Sequence, residues 1–104
     1  MSGDIQYVGG QFPITVTWLD YVERGIPGGF NDFTTSLELE IFSPSSRTRT
    51  ILTATASSAS KATANTGSGI ITEAGRWEAQ AHGLGTNLDV RLEPQFFDVH
   101  EIPE

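Results

Sequence analysis

The sequence predicts an all-β protein of seven or eight short strands, arranged as an antiparallel β-sandwich or a small barrel. Two observations support this fold class. Apolar and polar residues alternate with a period of two wherever a period is visible, which is typical of half-buried strands. Clusters of glycine, proline and serine separate these alternating stretches and predict turns. The 104 residues match the length of one domain, so residues 1–104 are expected to form one domain with loose termini.

The first half of the chain contains three predicted strands. Residues 5–8 form a short extended piece before the first of them, FPITVTWL at 12–19, whose alternate residues are large and apolar. Residues 23–34 are rich in glycine and proline, so they are predicted to be a long turn region. The second strand is SLELEIF at 36–42, with leucine and isoleucine on one face and glutamate on the other. The third strand spans about 48–56.

The second half begins with a stretch of small residues. Residues 57–69 contain no large apolar side chain, so they are predicted to be a flexible connection, with a short helix over 58–64 as the alternative. Core residues resume at Ile70 and Ile71. The segment HGLGTN at 82–87 is predicted to be a glycine-rich hairpin connection. The remaining predicted strands are 76–81, 88–93 and 95–99, and the tail at 100–104 is expected to be loose.

The charge composition excludes several classes of function. The formal net charge is −7, and only six residues are lysine or arginine. Nucleic acids and anionic membranes attract clustered cations, so neither is an expected partner. The chain has no cysteine, which excludes disulfides, cysteine-ligated metals and a cysteine nucleophile. The segment MSGDIQYVGG lacks the basic and apolar regions of a signal peptide, so a soluble protein made in a cytoplasm is expected.

Three phenylalanines are candidate protein-interface residues. Phe30 and Phe33 lie in a predicted loop of glycine, asparagine and aspartate, where they either plug the end of the sandwich or contact a partner. Phe96 and Phe97 are adjacent, so they must point to opposite faces of a strand. One of them therefore leaves the core and packs under a loop or against a neighbouring molecule. We take Phe30, Phe33 and Phe96 as the candidate interface.

Two carboxylates and two histidines are the candidates for catalysis, and both have a simpler interpretation. Glu38 and Glu40 share one face of a strand, as a glycosidase pair would, but solvated or interfacial charge on a strand has the same spacing and is the favoured interpretation. His82 and His100 lie in the predicted hairpin connection and near the tail. The chain has no GxSxG motif. We therefore interpret both histidines as ordinary loop residues and expect no enzymatic activity and no cofactor.

Oxygen ligands in the long turn region leave a calcium site open as an alternative. A hard cation prefers clustered oxygens on a loop. The spacing does not match an EF-hand, so ordinary turn residues are the favoured interpretation. The residues concerned are Asp20, Glu23, Asn31 and Asp32.

Several motifs together resemble a known family. The chain contains GGQFP followed by ITVTW, then a proline-containing loop, GIPGG, and an alternating strand, SLELEIFSP. A Thr/Ala-rich middle leads to AGRWEA at 74–79, and FDV at 97–99 ends the pattern. In these motifs the chain resembles the small immunoglobulin-like β-sandwich structural proteins of tailed-bacteriophage virions, including the N-terminal module of upper-baseplate proteins.

The resemblance implies a single immunoglobulin-like β-sandwich that serves as a structural component of a virion. Such a protein docks on other virion proteins of the neck, head decoration or baseplate, in multiple copies within a symmetric assembly. It would be assembled in the host cytoplasm and carry no catalytic, cofactor or metal residues. Open strand edges are one way in which a sandwich can dock on a partner.

A sandwich module that binds carbohydrate or a host surface is the alternative function. Sugars stack on exposed aromatic rings, and the candidates are Trp18, Trp77, Tyr7 and Tyr21. Both tryptophans fall on inward strand positions, however, where they are expected to form a central packing pair. A small hydrolase ranks below both functions because the sequence shows no nucleophile paired with a base.

Overall fold

The computed structural model describes residues 5–103, which form two antiparallel β-sheets. The smaller sheet has three strands in the order β1-β5-β4. The larger has five strands in the order β3-β2-β6-β7, and β8 also pairs with β6. The elements are β1 (Pro13–Thr17), a 3-10 turn (Gly29–Asp32), β2 (Ser36–Phe42), β3 (Arg49–Thr53), β4 (Thr55–Ser58), β5 (Lys61–Asn65), β6 (Gly75–Gly85), β7 (Leu88–Arg91) and β8 (Gln95–Val99).

One hydrophobic core lies between the sheets, as the period-two pattern predicts. On β2, the residues Leu37, Leu39 and Ile41 are buried. On β1, the buried side chains are Ile14 and Val16. The predicted all-β class with antiparallel sheets is confirmed, and two sheets around a shared core are consistent with a β-sandwich.

The predicted third strand, 48–56, is in fact two strands in different sheets. β3 ends at Thr53 beside β2, and β4 begins at Thr55 beside β5. Between them the Ala54 N–H donates to the carbonyl of Leu37 at 2.9 Å. Alternation continues through the crossing, so a period-two pattern alone does not reveal that the chain changes sheets.

The prediction of a flexible connection or helix over 57–69 is wrong for most of that stretch. β4 and β5 form a hairpin there, with a register irregularity between Ala56 and Ser58. Ala62 and Ala64 of β5 are buried in the core. They belong to the same buried cluster as large aromatic residues from elsewhere in the chain, so an absence of large residues does not indicate a loop here.

β6 extends through part of the predicted hairpin connection at 82–87. It continues to Gly85, so the turn to β7 contains only Thr86 and Asn87, and Asn87 adopts a positive φ of 57°. Gly83 is glycine because of a close approach within the core. A Cβ at that position would overlap the ring of Phe33.

The predicted loose tail is attached at its first residue. Tyr7 and His100 form a parallel bridge. The His100 N–H donates to the carbonyl of Gln6 at 2.8 Å, and the Val8 N–H donates to the carbonyl of His100 at 3.0 Å. The prediction of a loose segment is therefore wrong for His100, and the predicted looseness of residues 1–4 and 104 lies outside the described residues.

The two tryptophans are buried, but the predicted Trp18–Trp77 packing pair is wrong. Trp18 belongs to a cluster at one end of the core, where it stacks on Phe33 with ring centroids 5.7 Å apart. Trp77 belongs to a second cluster, where it stacks on Phe97 at 6.0 Å. The strand pattern correctly places both indoles inside, but it does not determine their neighbours.

Candidate functional site

The three predicted interface phenylalanines divide into two groups. Phe30 and Phe33 are 1% and 7% exposed and pack edge-on against each other, with ring centroids 6.2 Å apart. Both rings also contact Trp18. The packing alternative therefore describes these two residues, and their assignment as partner contacts is corrected. Phe96 is 52% exposed, and its role in an interface stays a prediction.

Phe96 lies on the outer face of the larger sheet. Directly paired residues in antiparallel strands share a face. Glu78 pairs with Phe42 on one side and with Phe96 on the other, so all three project away from the core. We call the surface formed in this way the outer face; its strand residues include Glu38, Glu40, Phe42, Arg49, Ile51, Thr53, Arg76, Glu78, Gln80, His82, Asp89, Arg91, Phe96 and Asp98.

Two arginines cover the phenylalanine rings of the outer face. The guanidinium carbon of Arg76 lies 4.5 Å from the Phe96 ring centroid. That of Arg47 lies 5.1 Å from the Phe42 centroid, and its Nη2 donates to Oε1 of Glu78 at 3.0 Å. Aromatic residues and arginine are both enriched in protein interfaces, and a guanidinium over a ring is an attractive contact. We call these five residues the arginine–phenylalanine patch.

A group of ionic residues lies beside this patch, centred on Glu40. Arg91 Nη1 donates to Oε1 of Glu40 at 2.8 Å, and Arg49 Nη1 lies 3.7 Å from the same oxygen. The Glu40 side chain is only 3% exposed, whereas that of Glu38 is 35% exposed. Solvated charge therefore describes the partly exposed Glu38, whereas Glu40 is enclosed. β2 is an inner strand, and the long side chains of Arg49 from β3 and Arg91 from β7 reach Glu40 from either side.

His82 belongs to this group and is not a loop residue. It lies in β6 directly opposite Glu38. Its Nε2 is 2.7 Å from Oδ1 of Asp89, and its Nδ1 is 3.7 Å from Oε1 of Glu38 and 3.9 Å from Oε2 of Glu40. We call Glu38, Glu40, Arg49, His82, Asp89 and Arg91 the Glu40 cluster.

The geometry of the Glu40 cluster suits ion binding better than the catalysis considered from the sequence. Both ring nitrogens of His82 face carboxylates, whereas a hydrolytic base has a nucleophile beside one of them. Glu40 is buried beneath its neighbours, so a sugar substrate cannot reach it as a glycosidase requires. Two carboxylates and an imidazole are, in contrast, suitable donors for a divalent cation.

The predicted loop oxygens do not gather into a comparable group. Asp32 Oδ2 accepts a hydrogen bond from the Gly28 N–H at 2.9 Å, as an ordinary turn residue does. Asp20 and Glu23 are exposed. Within residues 5–103, three donors from His, Asp or Glu come within 4.8 Å of one another at Glu38, Glu40 and His82, and not in this loop.

Cations are concentrated on the outer face. Arg47, Arg49, Arg76 and Arg91 are four of the six cations of the chain. The remaining two cations lie elsewhere in the chain. The whole chain has a net charge of −7. The outer face is therefore close to neutral, and the rest of the protein carries most of the negative charge.

Sequence reasoning missed most of these residues, although the signal for them was present. Arg76, Glu78 and His82 share one parity along β6, and Asp89 and Arg91 share one parity along β7. Extending the period of two through HGLG would have placed His82 on a strand face. The glycines in that segment favour a loop interpretation instead. Gly83 is in fact needed within β6, because a Cβ there would overlap the Phe33 ring on the core side.

Replacing Glu40 is expected to cost more stability than replacing Glu38. We expect Glu40→Ala to lower the free energy of unfolding by about 1–3 kcal/mol, because it removes a buried, charge-assisted hydrogen bond. Glu38→Ala is expected to cost less than about 1 kcal/mol, as exposed ion pairs do. Urea denaturation of both variants in EDTA measures the difference. Equal losses would contradict the buried role of Glu40.

No protein-family model, curated protein or solved structure matches the chain. Across residues 5–103, the structure contains no helix with the length and apolar character needed to span a membrane.

Proposed function

We propose that the chain is a non-enzymatic docking module and that the outer face contacts its partner. One observation supports this most strongly. The outer face combines an exposed phenylalanine stacked with arginine, the half-exposed Ile51 and most of the cations of an acidic protein. Binding energy in interfaces is concentrated in such aromatic and arginine anchors.

The order of the strands supports an immunoglobulin-like fold for this module. In that fold, one sheet has the order B-E-D and the other has C′-C-F-G. The orders β1-β5-β4 and β3-β2-β6-β7/β8 correspond to these if β1 is strand B and the letters follow the chain. The bridge between Tyr7 and His100 then places the segment before β1 beside the last strand, as a short strand A.

The edge of β1 is a weaker docking surface than the outer face. Pro13 has no N–H to donate, and both backbone groups of Thr17 are bonded to the Gln95 side chain at 2.6 and 3.3 Å. Within β1, this leaves Thr15 with both its N–H and its C=O directed away from β5. An added strand would gain few hydrogen bonds there.

The resemblance in the sequence motifs supports a place in a tailed-phage virion. We propose a structural component of the neck, head decoration or baseplate, present in multiple copies and located in the assembled virion. Other virion proteins suit this surface better than nucleic acid does. The arginines at 47, 49 and 91 already lie beside the carboxylates of Glu78 and Glu40, rather than forming an unpaired stripe for phosphates.

The alternative proposal, a carbohydrate-binding or host-surface module, has less support. Trp18 and Trp77 are 4% and 2% exposed, so neither indole offers a face to a sugar. Phe96 offers a ring edge, but Arg76 lies over its face.

Purified particles test the proposal directly. Peptide mass spectrometry of particles produced from the phage genome that encodes the chain is expected to detect the chain in many copies per particle. Particles that lack the chain would overturn the virion assignment.

Variants test whether the outer face is the docking surface, separately from whether the chain is a virion protein. In particles complemented with the double variant Arg76→Ala/Phe96→Ala, we expect incorporation to fall at least about tenfold, the loss of one interface hot spot. Leu19→Ala is the matched control, because Leu19 is an exposed apolar residue outside the outer face and its loss should leave incorporation unchanged. Equal incorporation of both variants would contradict docking through this patch.

A further inference from the structure

We propose that Glu38, Glu40 and His82 bind a divalent transition-metal cation, with Zn²⁺ as the best match among common ions. The inference is independent of the proposed docking function, and either can fail alone. It rests on three features of the Glu40 cluster: the spacing of the donors, the orientation of the imidazole and the balance of charge.

The three donor atoms lie within 4.8 Å of one another, farther apart than hydrogen-bond partners and close to the spacing of metal ligands. His82 Nδ1 lies 3.7 Å from Oε1 of Glu38 and 3.9 Å from Oε2 of Glu40. Both distances exceed those of hydrogen bonds. Zinc bonds of about 2.0–2.2 Å in a tetrahedron separate neighbouring ligand atoms by roughly 3.3–3.6 Å. Small side-chain adjustments therefore bring all three donors onto one ion.

The orientation of His82 is set by Asp89, which is not one of the three proposed metal ligands. Asp89 Oδ1 lies 2.7 Å from Nε2, which directs Nδ1 toward the two glutamates. A carboxylate on the non-ligating nitrogen is the usual outer partner of a metal-binding histidine. The imidazole side chain is 14% exposed, so surrounding side chains also restrict it.

Glu40 is held in a similar way. Arg91 and Arg49 both contact Oε1, which leaves Oε2 as the oxygen on the His82 side. The donors come from β2 and β6, which are neighbouring strands of one sheet. Rigid strands hold donors more precisely than loops do.

The charge and chemistry of the donors favour a borderline cation. Three carboxylates, from Glu38, Glu40 and Asp89, face two guanidinium groups, so the cluster carries a net charge of −1 that attracts a cation. An imidazole with two carboxylates suits Zn²⁺, whereas Ca²⁺ and Mg²⁺ prefer six or more oxygen ligands. Three protein ligands also leave a fourth position for water or for a group from a partner.

Calorimetric titration of the full chain with ZnCl₂ after removal of metals with EDTA tests the proposal. We expect one Zn²⁺ per chain and an increased melting temperature, with no response to CaCl₂ or MgCl₂ at the same concentration. His82→Gln and Glu38→Gln should each weaken binding by at least tenfold, and Asp89→Asn by about 10–100-fold. The absorption bands of Co²⁺ in place of Zn²⁺ report tetrahedral coordination.

The matched control is His100→Gln, which removes the other histidine of the chain. His100 is exposed and lies in the bridge to Tyr7, so its loss should leave the affinity for Zn²⁺ unchanged. Melting curves in EDTA confirm that each variant is folded before titration. Absence of binding by the folded parent chain, or equal binding by folded His82→Gln, would overturn the site and leave the cluster as an ion-pair network.

Discussion

Phe33→Ala is expected to lower the free energy of unfolding by about 3–5 kcal/mol, the usual cost of truncating a buried aromatic residue. The Phe33 ring stacks on Trp18 with an interplanar angle of 3° and packs edge-on against Phe30. Removing the ring opens a cavity where the loop before β2 packs on the sheets. Domains of this size have a total stability of roughly 5–15 kcal/mol, so the change approaches global unfolding.

Phe96→Ala is the matched control for this experiment, since it removes the same ring from an exposed site. We expect a loss below about 1 kcal/mol, because Phe96 is about half exposed and lies outside the core. Urea denaturation followed by tryptophan fluorescence and circular dichroism measures both changes. A similar loss in the two variants would show that the Phe33 ring is not buried in the core.

Gly83→Ala is expected to destabilise the protein by about 1–3 kcal/mol, because it overpacks the same region. The new methyl group would overlap Cδ2 and Cγ of the Phe33 ring, so the ring or the strand must shift. At an ordinary strand position the same change would instead be neutral or stabilising, since alanine loses less backbone entropy than glycine.

A double-mutant cycle tests whether the Phe33 ring causes the loss of stability in Gly83→Ala. In the Phe33→Ala background, the methyl group added by Gly83→Ala enters the vacated space, so the second change should cost little. We expect a coupling free energy of about 1–3 kcal/mol between the two sites. The measurement is urea denaturation near 10–20 °C, where stability is usually greatest. Additive losses would mean that Gly83 is required for a different reason.

Much of the fold could be predicted from the alternation of residues. The inner faces of β1 and β2 follow from large apolar residues at every second position, and Leu39 and Val16 are indeed fully buried. The alternation also correctly separates Phe96 from Phe97. Such a pattern records the side of a strand on which each residue lies, so it is reliable wherever one face is buried.

The errors in the predicted fold arise where contacts between distant parts of the chain determine the local structure. The alanines of β5 are buried in a core shared with residues distant in the sequence, and a stretch of small residues does not reveal those partners. Gly83 indicates a loop in the sequence, yet the Phe33 ring requires glycine in the middle of a strand. The same limitation applies to the pairing of Trp18 with Phe33 rather than with Trp77.

The candidate site was only partly predictable for the same reason. Phe96 follows from strand parity. The burial of Glu40 depends on Arg91, which lies 51 positions away in the sequence and joins the outer face only when β7 pairs with β6. Sequence spacing identifies a pair of glutamates on one strand, and only the sheet order shows which one is enclosed.

The outer face and the core share aromatic residues but use them differently. Phe33 and Phe97 stabilise the fold, whereas Phe42 and Phe96 lie under guanidinium groups at the surface. This separation allows the surface to be changed while the fold is kept, so a docking defect can be measured in a folded protein.

Labelling of single cysteines in assembled particles tests most directly whether the outer face is the docking surface. The chain has no cysteine, so Thr53→Cys on the outer face and Thr55→Cys on the smaller sheet each introduce one reactive thiol at an exposed strand position. Both variants should react with a maleimide at similar rates as isolated proteins. In purified particles we expect Thr53→Cys to be protected and Thr55→Cys to remain reactive. Equal reactivity of the two thiols in particles, or protection of Thr55→Cys alone, would contradict docking through the outer face.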